Sequence, residues 1–154
     1  MTNPIPEGCD RVIPHLVVKG AAEALEFYAK AFGAEELCRM PAPDGRVMHA
    51  EFKIGNSIFY ICDDFPEFCG GKPRNPQALG NSPCNLHMYV KDTDAAVKKA
   101  VDAGATVTMP PQDMFWGDRY AVTQDPFGHI WSFATHTKDM TPEEIAEAGA
   151  AAFA

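Results

Sequence analysis

Apolar and polar positions change period twice along the 154-residue chain, in the same order each time. From Val12 to Val18 apolar residues occupy both alternating sets. Val12, Pro14, Leu16 and Val18 fall on one, and Ile13 and Val17 flank His15 on the other, so the run predicts a strand that is apolar on both faces. Ala21, Leu25, Tyr28 and Phe32 then lie on one helical stripe, and Gly33 suits the residue just past a helix end. Three strands are expected next, over residues 36–40, 47–54 and 57–62, with Pro41, Pro43-Asp44-Gly45 and Gly55-Asn56 supplying turns. The pattern then restarts. A strand is expected over 85–90, followed by a helix capped by Asp92 or Thr93 that turns Val97, Ala100 and Val101 inward. Strands near Thr106, over 120–123 and over 130–135 complete the second round.

The restart is an internal repeat. Val18 and Val90, each followed by Lys, lie 72 residues apart, and Gly33 and Gly104, each followed by Ala, lie 71 apart. Gly55-Asn56-Ser57-Ile58-Phe59 lines up with Gly128-His129-Ile130-Trp131-Ser132 at an offset of 73. A period near half the chain length means two copies of one βαβββ unit, an α+β chain. The modules are expected at 10–62 and 83–136, joined by a Pro- and Gly-rich loop over 63–82. A C-terminal helix is expected over 141–152, where Thr141, Pro142 and Glu144 form a capping box.

Thirteen basic and 21 acidic residues leave a net charge of −8, which disfavours nucleic acid and anionic membranes as partners. The chain contains no apolar run of the roughly 20 residues that a spanning helix needs. Its start shows no basic, then apolar, secretory pattern, so a cytoplasmic location is expected. The five cysteines are odd in number and form no C-x-x-C pair, which speaks against a disulfide framework or zinc ribbon. Dinucleotide, P-loop, nucleophile-elbow and H-E-x-x-H motifs are missing.

Five strings carry a resemblance: Pro14-His-Leu-Val-Val18, Phe27-Tyr-Ala-Lys-Ala-Phe-Gly-Ala34, Met48-His-Ala-Glu51, Phe115-Trp-Gly-Asp-Arg-Tyr120 and Asp125-Pro-Phe-Gly-His-Ile-Trp131. Together they resemble the vicinal oxygen chelate superfamily of glyoxalase I, bleomycin-resistance proteins and extradiol dioxygenases, and within it the PhnB-like subgroup. The resemblance implies that the two tandem modules form a curved mixed sheet around a concave pocket. It also implies a small-molecule ligand and a homodimer.

Metal-dependent relatives draw four ligands from the first and last strand of each module. The matching positions here are Ile13, Phe59, Asn85 and Ser132, none of them a good ligand for a transition metal. No metal or cofactor is therefore expected at the matched site. His15 and His87 stand two residues beyond Ile13 and Asn85, on the same strand face, and His49 and Glu51 form a similar pair. Each histidine has two readings, a hydrogen-bonded structural residue or a pocket residue. Phe115, Trp116 and Tyr120 offer a stacking surface and Arg119 an anion handle, unless these are core aromatics and Arg119 is held by Asp118 or Asp125. His129 is expected to belong to its turn, and His136 to a pocket or the surface.

Two functions are compatible with these residues. One is binding of a small molecule, aromatic or anionic, without the chelated metal. The other is a lyase, isomerase or dioxygenase with a rearranged metal site built from His15, His49, Glu51 and His87.

Overall fold

A computed structural model describes residues 4–9 and 11–154 of the chain. Asp10, the expected start of the first module, lies outside the described residues. The chain divides into two compact units, the first ending at Ser82 and the second beginning at Pro83. Each carries its own four-stranded mixed sheet and repeats the order strand, helix, three strands.

In unit one β1 (His15–Val18) is followed by α1 (Ala21–Phe32), β2 (Glu35–Pro41), β3 (Val47–Ile54) and β4 (Ser57–Asp63). The sheet order is β1-β4-β3-β2, with β1 parallel to β4 and the other pairs antiparallel. The first strand is shorter than the alternation predicts. Pairing opens where Pro14 O accepts Tyr60 N at 2.9 Å, and Val12 and Ile13 precede it, Val12 fully in solvent. Pro14 lacks the N–H that would continue the ladder.

One face of this sheet is packed by α1. Tyr28 stacks on Phe52 at 5.3 Å, Phe52 stacks on Phe59 at 5.0 Å, and Leu16, Val18, Ala50 and Ile61 complete a buried layer. The helix ends at Gly33, where φ of 69° gives the left-handed turn that sends its N–H back to Ala29 O. At the other end Gly20 has no side chain with which to cap. Asp63, from the end of β4, does so from outside: its Oδ1 accepts Gly20 N at 2.8 Å and Ala21 N at 3.0 Å. Its Oδ2 accepts Val47 N at 2.7 Å, so one buried carboxylate ties α1 to two strands.

The expected connecting loop contains structure of its own. A 3₁₀ turn spans Pro66–Phe68, and a short α2 (Pro76–Leu79) is capped by Asn75, whose Oδ1 accepts Ala78 N at 3.0 Å.

Unit two repeats the plan with β5 (Asn85–Tyr89), α3 (Thr93–Ala103), β6 (Thr106–Asp113), β7 (Asp118–Gln124) and β8 (Ile130–His136), in the order β5-β8-β7-β6. Asp92 is the cap of α3, accepting Ala95 N at 3.0 Å. Val97 and Ala100 are buried against the sheet with Trp131, Phe133 and Ala121, whereas Val101, expected inward, is 41% exposed. β6 runs much further than its apolar content suggests. It is an edge strand, so Pro110 and Pro111 cost it little, and the register shifts between Val107 and Gln112 absorb their missing donors. The β6–β7 connection is consequently a tight turn over residues 114–117, closed by Gly117 N to Met114 O at 3.1 Å. Helix α4 (Pro142–Ala152) starts at the expected capping box.

Candidate functional site

Strand parity decides which side chains share a surface. In unit two Asn85, His87 and Tyr89 lie beside Ile130, Ser132 and Ala134, and these in turn beside Gln124, Val122 and Tyr120. All face away from the buried layer under α3. On this open face His87 Nδ1 stands 2.8 Å from the buried Ser132 Oγ. The His87 ring meets Tyr89 edge-on at 5.1 Å and lies nearly parallel to Tyr120 at 6.0 Å, and Trp116 meets Tyr120 at 5.7 Å.

A buried carboxylate anchors the rim. Asp118, only 4% exposed, accepts Tyr89 OH at 2.9 Å and Trp116 Nε1 at 3.1 Å, and lies 2.9 Å from His136 Nδ1. Burial pushes the Asp118 pKa up, but the bonds from His136, Tyr89 and Trp116 more than offset it, so the group stays below the usual carboxylate range. His136 is held above its ordinary value, first by Asp139 at 2.9 Å and then by Asp118.

Unit one presents an equivalent face with different chemistry. His15 is paired with Tyr60 across β1 and β4, and Tyr60 with Glu51 across β3 and β4. The His15 ring stands 5.9 Å from that of Tyr60 and 6.0 Å from that of His49, and His49 lies 4.8 Å from Tyr60. His49 Nε2 is 3.5 Å from Glu51 Oε1, with both side chains about one-third exposed. Partial burial, then the His49 and Arg74 charges, lower the His15 pKa. Among the described residues no three His, Cys, Asp or Glu side chains gather to hold a metal ion. His15, His49 and Glu51 share a face without closing on a common point.

Two expected positions move. Phe59 lies in the layer beneath α1, stacked on Phe52, and is 7% exposed. The partner of His15 is Tyr60, as that of His87 is Ser132, so the repeat offset is 72 residues here and the 73-residue alignment was one residue out. A slip of one residue changes the face. Arg119 lies on the α3 side of β7, opposite to Tyr120. Its guanidinium is taken by Asp94 of α3, with Nη2 to Oδ1 at 2.8 Å, and by Asp113 at 3.0 Å, so neither Asp118 nor Asp125 is its partner.

Asp125 instead closes the turn before β8, accepting Phe127 N at 2.9 Å and His129 N at 3.0 Å. The sequence marks Tyr120 as stacking surface, but it does not single out Tyr60 for the unit-one face or Tyr89 and Asp118 for the unit-two face. Tyr89 was within reach of the same rule that paired Asn85 with His87, being two residues further on.

The comparisons with known proteins agree with this architecture. The Glyoxalase/Bleomycin resistance protein/Dioxygenase superfamily profile matches residues 70–133. An uncharacterised Mycobacterium tuberculosis H37Rv protein is 47% identical over 132 residues, covering 86% of this chain and 78% of that one. The crystal structure of an Arabidopsis thaliana gene product is 30% identical with a TM-score of 0.66, covering 80% of this chain and 97% of that one. A Bacillus cereus PhnB protein shares the fold, with a TM-score of 0.61 at 15% identity, over 82% of this chain and 99% of that one. With its paired βαβββ units and these relatives, the chain belongs to the glyoxalase/bleomycin resistance protein/dioxygenase superfamily.

Proposed function

We propose that the protein binds a small, planar, uncharged aromatic molecule on the open face of the unit-two sheet, without a chelated metal. The observation that carries this reading is the aromatic group of His87, Tyr89, Trp116 and Tyr120 beside the His87–Ser132 pair. Such rings offer stacking surface, and imidazole and hydroxyl groups fix orientation by hydrogen bonds. With Arg119 neutralised by Asp94 and Asp113, and Asp118 charged at the rim, nothing there favours an anion.

The superfamily's metal does not fit the residues at the matched positions. Ile13 has no donor, Tyr60, which takes the place expected of Phe59, offers only a phenol whose pKa is raised, and Ser132 already bonds His87. Asn85 would add only a neutral amide oxygen, and a divalent transition metal needs imidazole, carboxylate or thiolate partners. No chemical step is derived through that group.

Fluorescence titration tests the reading. Trp131 is fully buried under α3, so quenching by a surface ligand reports Trp116. Nicotinamide, benzamide and acetophenone, which do not themselves emit in the tryptophan window, are suitable probes. Saturable quenching that disappears in Trp116→Phe is expected. Linear, non-saturating quenching with all three would remove the proposal.

A further inference from the structure

The β6–β7 turn, which carries Trp116, is also where the C-terminal segment is tied to unit two. Gly117 O accepts Thr137 N at 2.9 Å, Lys138 N at 3.0 Å and the Thr137 hydroxyl at 2.8 Å. Helix α4 then starts at its capping box and lies against Phe115, the residue before Trp116. The Phe153 ring meets Phe115 edge-on at 6.0 Å, and Phe115 meets Trp116 edge-on at 5.0 Å. At Gly149 the approach is so close that an added Cβ would stand 3.1 Å from Phe115 Cε2.

This glycine is not demanded by its backbone, because it is outside the positive-φ set and sits within the helix. What it provides is the missing side chain that lets α4 reach the ring. The helix is otherwise weakly held. No residue of α4 is buried, and only Ile145, Ala148 and Gly149, on one stripe, are half-buried. Its 11 residues fall short of the roughly 12–15 that an isolated helix needs in water. The order of α4 therefore depends on its seat, and the seat is Phe115.

We propose that α4 is a strap that positions Trp116: seated on Phe115, it holds the β6–β7 turn in the form that binds ligand, and its release lowers affinity at the unit-two face. The inference rests on the aromatic-ligand reading given above. Trp116 is also held by Asp118, through Nε1 at 3.1 Å, and by the Tyr120 ring at 5.7 Å. Phe115 is the contact that α4 controls. By linkage, a ligand stacked on the seated indole favours the seated strap by the same factor.

The test combines Trp116 emission with nicotinamide titration of the full chain. Gly149→Leu places a better helix former where no side chain fits against Phe115. It should red-shift the emission before any ligand is added and weaken nicotinamide binding several-fold. The shift should vanish in the Gly149→Leu, Trp116→Phe double variant, which keeps only the buried Trp131. Ala150→Leu, at an exposed position of α4, should change neither reading. Thr141→Ala, which removes the capping hydroxyl, should act in the same direction as Gly149→Leu, and it decides if that variant fails to fold. An unmoved emission maximum in Gly149→Leu, an equal shift in Ala150→Leu, or parental affinity retained in Gly149→Leu overturns the strap. If no probe saturates on the parent chain, the ligand reading falls with the affinity claim, and the emission shift alone decides whether α4 positions Trp116.

Discussion

His136 and His15 shift in opposite directions because His136 is held between two carboxylates and His15 is partly buried beside other positive groups. His136 lies above the ordinary 6.5 through Asp139 first and Asp118 second. A raised folded-state pKa stabilises the fold fully below the unfolded value, and that contribution is lost as pH climbs through the raised one. His15 lies below 6.5, chiefly through burial, so its effect on stability appears as pH falls from 6.5 toward the lowered value. Proton NMR titration of the ring C2–H resonances should place His136 above 6.5 and His15 below it. A His136 midpoint at or under 6.5 would contradict the paired carboxylates. For the proposed ligand, His87→Ala should weaken binding by about 1–3 kcal/mol, the scale of one lost hydrogen bond in a partly buried setting. Arg119→Ala should leave affinity unchanged and lower only the melting temperature, because that guanidinium links β7 to α3. An affinity loss in Arg119→Ala would return it to the ligand site. The histidines, Trp116 and Tyr120 are legible as candidates from type and spacing. The side of the sheet taken by Arg119 followed from the β7 boundary, which the short apolar run at 120–123 did not reveal.

At the scale of elements, capping and turn geometry carry the sharpest expectations. Asp63→Ala would leave the Gly20, Ala21 and Val47 amides without their acceptor. A lost helix cap costs about 0.5–2 kcal/mol. Urea denaturation should show a loss of at least that size, since a second strand is released with the helix. An unchanged midpoint would mean that α1 does not depend on β4 for its start. Gly117, at φ 96°, places its α-carbon so that an added Cβ would lie 2.3 Å from Lys138 O. Its own carbonyl accepts Thr137 N at 2.9 Å and Lys138 N at 3.0 Å. Gly117→Ala should therefore destabilise by more than about 1 kcal/mol, as both the positive φ and the close approach are violated. Chemical denaturation measures it. Helix α1 was readable because its stripe and terminal glycine are local signals. Asp63 as its cap was not, because the carboxylate arrives from 43 residues away.

For the whole molecule, the donor set at the four matched positions predicts that dialysed protein retains no stoichiometric zinc, nickel or iron and shows no glyoxalase activity. Elemental analysis and a hemithioacetal assay check both, and a retained equivalent of metal would reopen the His15, His49 and Glu51 face. A homodimer is expected, with a sedimentation mass twice 16.8 kDa; a mass near 16.8 kDa at micromolar concentration would refute it. The sequence by itself determined the duplication, the element order in each βαβββ unit, the helix ends and the set of chemically able residues. Those features depend on period, turn residues and capping, which act within a few positions of the chain. Only the tertiary structure decided that Tyr60, not Phe59, stands beside His15, and that Asp118 gathers Tyr89, Trp116 and His136. Each of these is fixed by strand register or by a hydrogen bond between distant segments. A one-residue change in register moves a side chain to the opposite face while leaving the local pattern intact.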